Sequence, residues 1–158
     1  MANSMDSLVN RGQSDVKDKL DQAKDQVREI GESFDEVKTG LSDMPGGLDA
    51  DLAQMITDAQ EQGKQEAAAD VEGVKQSIVR DAKGSADNIK SEVTEKINDN
   101  QTAQGKIAGI SSKYGKSALD AASQAITENT NKGNDLMAEL EKAIQDADSD
   151  IASVKDSL

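Results

Sequence analysis

Apolar residues recur from position 16 to 44 in steps of four and three without a break: Val16, Leu20, Ala23, Val27, Ile30, Phe34, Val37, Leu41 and Met44. A spacing alternating in this way holds one apolar stripe against a neighbouring helix along its length, which is the pattern of a coiled coil. It predicts a first helix from about 4 to 43, roughly 60 Å long at 1.5 Å per residue. Met44-Pro45-Gly46-Gly47 ends the pattern. Proline cannot continue a helix, and the glycines allow left-handed backbone, so a turn is expected over 44–48. Asp49 or Asp51 can cap the next helix.

The second stripe starts at Leu48, Leu52, Met55 and Ala59, weakens through Gly63, and resumes at Ala67, Val71, Val74, Ile78, Ala82, Ala86, Ile89, Val93 and Ile97. Successive steps of four bring the period close to 3.67, which straightens or reverses a supercoil. Gly63, Gly73 and Gly84 each weaken the helix by about 1 kcal/mol relative to alanine, and each offers a place for close backbone contact. A long helix is expected over 49–99. At 98–105, Asn98-Asp-Asn-Gln-Thr102 reads either as a turn with Thr102 as cap or as a weak stretch of one helix reaching 129. Beyond it runs a narrow alanine-rich stripe of Ala103, Ile107, Ile110, Tyr114, Ala118, Ala121 and Ala125. Gly133 and Asn134 read as a stop and a cap near 128–135. A last helix over 134–158 then carries a second heptad: Met137, Leu140, Ile144, Ala147, Ile151, Val154 and Leu158.

Apolar residues never alternate as they would in a strand. The expected fold is all-α without a sheet: a single elongated domain, 1–158, built as a coiled coil or antiparallel bundle of long helices. Composition supports stripes over a broad core. Leu, Ile, Val and Phe total 29 of 158 residues, and 20 more are alanine. So low a content with a net charge of −13 is a flag for disorder, but disordered chains scatter their apolar residues and this one aligns them.

Charge sharpens the pattern. With Leu20, Val27, Phe34 and Leu41 as the a positions, Lys17, Lys24 and Lys38 border the first seam, joined by Lys19. Asp15, Asp18, Asp21, Asp25, Glu29, Glu32, Asp35 and Glu36 take the outer face. The last heptad is bordered by Glu141, Asp148 and Asp150, with Lys155 as the exception. Flanking charges select partner and orientation in coiled coils, so the first and last helices are expected to pair, within a chain or between chains. Anchoring contacts are expected from Leu20, Val27, Ile30, Phe34, Val37 and Leu41 on one seam and Leu140, Ile144 and Ile151 on the other.

Chemistry is nearly absent. Without cysteine there is no disulfide, thiolate or zinc-thiolate site, and without histidine the usual general base near neutral pH is missing. Gly109-Ile-Ser-Ser-Lys-Tyr-Gly115-Lys116-Ser117 has one residue too many between its glycines for a phosphate-binding loop, and no strand precedes it. Asp146, Asp148 and Asp150 begin like a calcium loop, but Ile151 stands where glycine is needed and Ser157 where glutamate is needed. Ser14 and Lys17 match a Ser-x-x-Lys spacing without a dry pocket to activate the lysine. Asn100-Gln-Thr102 is a glycosylation sequon without a secretory route. No catalytic residue, cofactor or metal ligand is assigned.

The acidic balance disfavours nucleic acid and anionic membranes. No run is long and apolar enough to span a bilayer, and the first ten residues do not form a secretory signal. A cytoplasmic location is expected, with signal-independent export or association with a particle as the alternative. The function expected is that of a non-enzymatic structural or adaptor protein, assembling with itself or with a protein partner through coiled-coil contacts. A small acidic helical substrate or partner of a specialised secretion or phage machine is the second reading. An acidic inhibitor that mimics DNA, with Asp15, Asp18, Asp21 and Asp25 in a row, is the third.

Overall fold

The computed structural model describes residues 4–42, 50–110 and 115–158. The turn expected at 44–48, Met44, Leu48, Asp49 and Tyr114 fall outside them. Three long helices packed against each other make an all-α bundle, with no strand among the described residues. The first consists of α1 (Ser4–Arg11), a π-helical segment (Gly12–Lys17) and α2 (Asp18–Ser42). The second consists of α3 (Ala50–Val74), a π-helical segment (Lys75–Val79) and α4 (Arg80–Gly109). The third is α5 (Lys116–Ser157), 42 residues without interruption. Residues flanking both π segments keep right-handed helical dihedrals, so neither segment breaks its helix.

At 98–105 the helix, one of the two readings left open, is what forms, and two boundaries further along differ from those read in the sequence. Residues 98–105 are helical, and Thr102 caps nothing: its hydroxyl donates to the Asn98 carbonyl at 3.1 Å, one turn back within α4. The second helix stops at Gly109 and does not continue to 129. The last helix starts at Lys116 rather than near 134, and Gly133 is a buried interior residue. Asp51 sits inside the first turn of α3, where its charge favours the helix N-terminus, instead of ahead of it as a cap.

The π segments arise from the spacing of the apolar positions. Buried residues of the first helix run Met5, Leu8, Gly12, Val16, Leu20, Ala23, Val27 and Phe34. The steps from 8 to 20 are all of four, too long for a 3.6-residue turn to hold on one face. Widening to i→i+5 bonding over Gly12–Lys17 absorbs the excess. In the second helix the buried set is Ala67, Val71, Val79, Ala82, Ala86, Ile89 and Val93. Here Val79, not Ile78, is the buried residue, because the π segment at Lys75–Val79 adds one position before the heptad resumes. The alanine stripe of the third helix is also displaced by one. Ala118, Ala121 and Ala125 are exposed, while Leu119, Ala122 and Ile126 are half-buried.

The chain divides into two compact units, Met1–Asp18 with Ala82–Ala143, and Lys19–Asp81 with Ile144–Leu158. In the first, Met5, Leu8, Val16, Ile89, Val93, Leu136 and Leu140 form the core with Ala82 and Ala86. Ascending pairs show that the first and third helices run parallel there: Asp6 with Lys132 at 3.2 Å, and Lys17 with Glu139 at 3.1 Å. The second helix opposes both. Arg11 pairs with Glu92, Asn100 donates to Thr130 at 3.3 Å, and Gln104 donates to Ser123 at 3.1 Å. In the second unit Leu20, Ala23, Val27, Phe34, Ala67, Val71, Val79, Ala147 and Ile151 are buried. No buried residue in either unit is polar or charged, among those described.

Helix approach depends on two glycines in the first unit. A Cβ on Gly133 would lie 2.8 Å from Met5 Cε and 2.9 Å from Val93 Cγ1. A Cβ on Gly12 would lie 2.8 Å from Leu136 Cδ1. Gly73 and Gly84, read in the sequence as candidate contact points, have nothing within 4 Å of a built Cβ.

Substituting these glycines is therefore expected to give opposite signs. Gly84→Ala should raise stability by about 0.4–1 kcal/mol, since it restricts the unfolded chain and meets no neighbour. Gly133→Ala should lower stability despite the same propensity gain, because β-branched Val93 has little freedom to yield. Leu140, fully buried, should cost about 2–5 kcal/mol on truncation to alanine. Urea titration of the three variants checks this; a stabilising Gly133→Ala would remove the close-approach assignment.

Candidate functional site

The residues expected to form a partner-binding seam divide into two groups. Leu20, Val27, Phe34, Leu140 and Ile151 are buried within the chain itself, so their apolar area is already spent on intramolecular packing. Ile30, Leu41 and Ile144 are half-buried, and Val37 is 48% exposed. Three of the exposed large apolar residues, Val37, Leu52 (44%) and Met55 (65%), belong to the second unit. Ile110, in the first unit, is 41% exposed.

Between α2 and α3, inside the second unit, lies an open groove of about 710 Å³. Its apolar lining is Ile30, Phe34 and Val37 from α2, with Ala59 and Ala67 from α3. Phe34 is the floor. Its ring rests on the α3 backbone at Gly63, where a Cβ would come within 3.1 Å of Cε2. Gly63 thus leaves room for the sequence's only phenylalanine to pack against α3. Lys38 stands over the outer side of the same ring, its Nζ 5.2 Å from the centroid and 3.7 Å from Asp35. Polar residues occupy the rims: Gln26 and Glu29 on α2, and Gln62, Glu66 and Asp70 on α3.

Val37, Leu52 and Met55 were legible as stripe positions, but their remaining exposed was not. Heptad counting placed Glu29 on the outer face, whereas it lines the groove, and gave no signal for the other rim residues. Their one sequence-level trace is that 26–42 and 50–72 together hold ten acidic and three basic residues, more than half of the net charge.

Some of the flanking charges meet across helices and others along their own helix. Lys24 reaches Asp150 at 3.9 Å, sharing its charge with Asp21 at 3.5 Å on its own helix. Lys17 pairs with Glu139, not with Glu141, which is exposed. Lys38 is held on its own helix by Asp35 and the Phe34 ring, and Asp148 is half-buried. Lys155 meets Glu72 on the second helix at 3.5 Å. No group of three or more acidic side chains able to hold a metal ion occurs among the described residues. No described helix is long and apolar enough to cross a membrane.

Two measurements separate the packed from the open part of this site. Phe34→Ala should destabilise by about 3–5 kcal/mol, whereas Val37→Ser, at an exposed position, should stay within about 0.5 kcal/mol. A double-mutant cycle on Lys17 and Glu139 should return a coupling below about 1 kcal/mol, because both groups keep water contact. It should shrink further in high salt. No family model matches the chain, and neither a curated protein nor a solved structure does.

Proposed function

We propose that the chain is a non-enzymatic structural or adaptor protein that acts by coiled-coil assembly, with itself or with a protein partner. The observation that carries this reading is an open groove floored by Phe34 with Val37 exposed in its lining, together with the exposure of Leu52 and Met55 on α3. In a chain with so few large apolar residues, three left outside the core on one helix pair represent area held back from folding. Such patches mark contact surfaces. The rest of the molecule supports recognition over chemistry, since its side-chain bonds are mostly exposed links within or between helices.

Purification of the tagged full chain from its native source tests this, with mass by light scattering and partner identity by mass spectrometry. A stoichiometric protein partner or a defined self-oligomer is expected. Combining Val37→Ser with Met55→Ser should strip it away while leaving the melting temperature nearly unchanged. A parent chain that stays monomeric, with no stoichiometric partner, would rule the reading out.

A further inference from the structure

We propose that the groove between α2 and α3 takes one amphipathic helix from another protein, with a lysine- or arginine-edged apolar seam. This rests on the assembly reading and names the chemistry of the partner. Two observations lead to it, the track of the third helix and the charge of the rim.

Within the second unit, residues 144–158 already lie against both neighbouring helices. Val154 sits over Gly31, where a Cβ would approach Val154 Cγ1 at 3.0 Å, and Lys155 meets Glu72. The groove continues the same track: its α2 side runs from Gln26 to Val37 and its α3 side from Asp70 to Ala59. A helix seated there would meet Ile30, Phe34 and Val37 at helical spacing on one side. On the other it would meet Ala59, Gly63 and Ala67, four residues apart and small enough for close approach. The geometry is that of a third helix in a bundle, and an extended strand would leave its backbone groups unpaired in such a trough.

Charge then selects the occupant. Glu29 edges one rim, and Glu66 and Asp70 edge the other. Lys155 against Glu72, close along α3, is the same recognition made within the chain: a lysine bordering an apolar seam meets an acid bordering this pair of helices. A second copy of the chain is a poor occupant, because the hairpin segments 26–42 and 50–72 hold ten acidic residues against three basic ones and would repel their own kind. A basic-edged helix satisfies both the apolar floor and the acidic rim.

The test uses the full chain and three synthetic peptides of about four heptads each. One carries Leu at a and d with Lys at e and g; the second replaces Lys by Glu; the third scrambles the first. Fluorescence anisotropy near physiological salt should show the Lys-edged peptide binding about tenfold or more tighter than either control, which is about 1.4 kcal/mol. Amide shifts on the parent chain should map to 30–37 and 59–67. Val37→Ser should weaken binding about tenfold or more, as should Glu66→Lys with Asp70→Lys, while Ile110→Ser should leave it unchanged. Equal binding of the scrambled peptide reduces the effect to charge alone and overturns the proposal, as do shifts that map elsewhere. Dimerisation of the chain abolished by Val37→Ser would assign the groove to a second copy, also against it. Failure here beside a stoichiometric native partner would leave the assembly reading intact and move docking to another surface.

Discussion

A shortage of large apolar side chains governs everything in this structure. A single helix can offer only one stripe, and the stripe must be shared with two neighbours. The result is a core one residue wide, in which five of the eighteen buried hydrophobic positions among the described residues are alanine. Fully burying a leucine or isoleucine stabilises by about 1.5–3 kcal/mol, and alanine by much less. Stability therefore rests on a few positions, with Leu8, Leu20, Ile89, Leu136, Leu140 and Ile151 the largest aliphatics among them. At two contacts glycine makes room for the large residues that do exist: Gly12 and Gly133 admit Leu136, Met5 and Val93 against the main chain.

A stripe that must not wander also explains the π segments. Straight α-helix drifts relative to any apolar pattern not matched to 3.6 residues. Long helices can correct the drift by supercoiling everywhere or by a local insertion. Here the correction is local, at Gly12–Lys17 and Lys75–Val79. Each falls where apolar spacing departs from strict alternation of three and four. Each is flanked by regular α-helix, so the insertion resets register without ending the element.

The helical character and the stripe of 16–41 were legible in the sequence because both depend on local spacing. The charges that border the first and last seams were visible there too, and Lys24 lies near Asp150. What escaped depended on which neighbour each residue met. Gly133 has the local signature of a helix stop, but its lack of a side chain serves packing against Met5 and Val93. Ile78 and Val79 are adjacent and similar, and only the π insertion decides which is buried. In the alanine-rich stretch, spacing alone could not distinguish the face with Ala118 from the face with Leu119, because alanine fits either environment. Thr102 bonds back to Asn98, a use of its hydroxyl that competes with capping and leaves no mark in the pattern.

The groove is where local pattern and tertiary fate part most usefully. Val37 continues the same heptad as Phe34, three residues on, yet Phe34 is 5% exposed and Val37 48%. Heptad position cannot account for that difference, since both residues lie on one stripe. Coverage can: Phe34 finds the bare backbone of Gly63, and Val37 faces the open trough. An apolar position that keeps its register but lacks its neighbour is a site prepared for another chain or a region tolerant of water. The distinction turns on the rim. Random solvated helix carries charges of both signs, whereas Glu29, Glu66 and Asp70 present one sign around one apolar strip. A surface uniform in charge and apolar at its centre discriminates among helices, since it repels acidic-edged ones and gives basic-edged ones both burial and pairing. On the proposed reading, that selectivity would matter more to docking than the small area available.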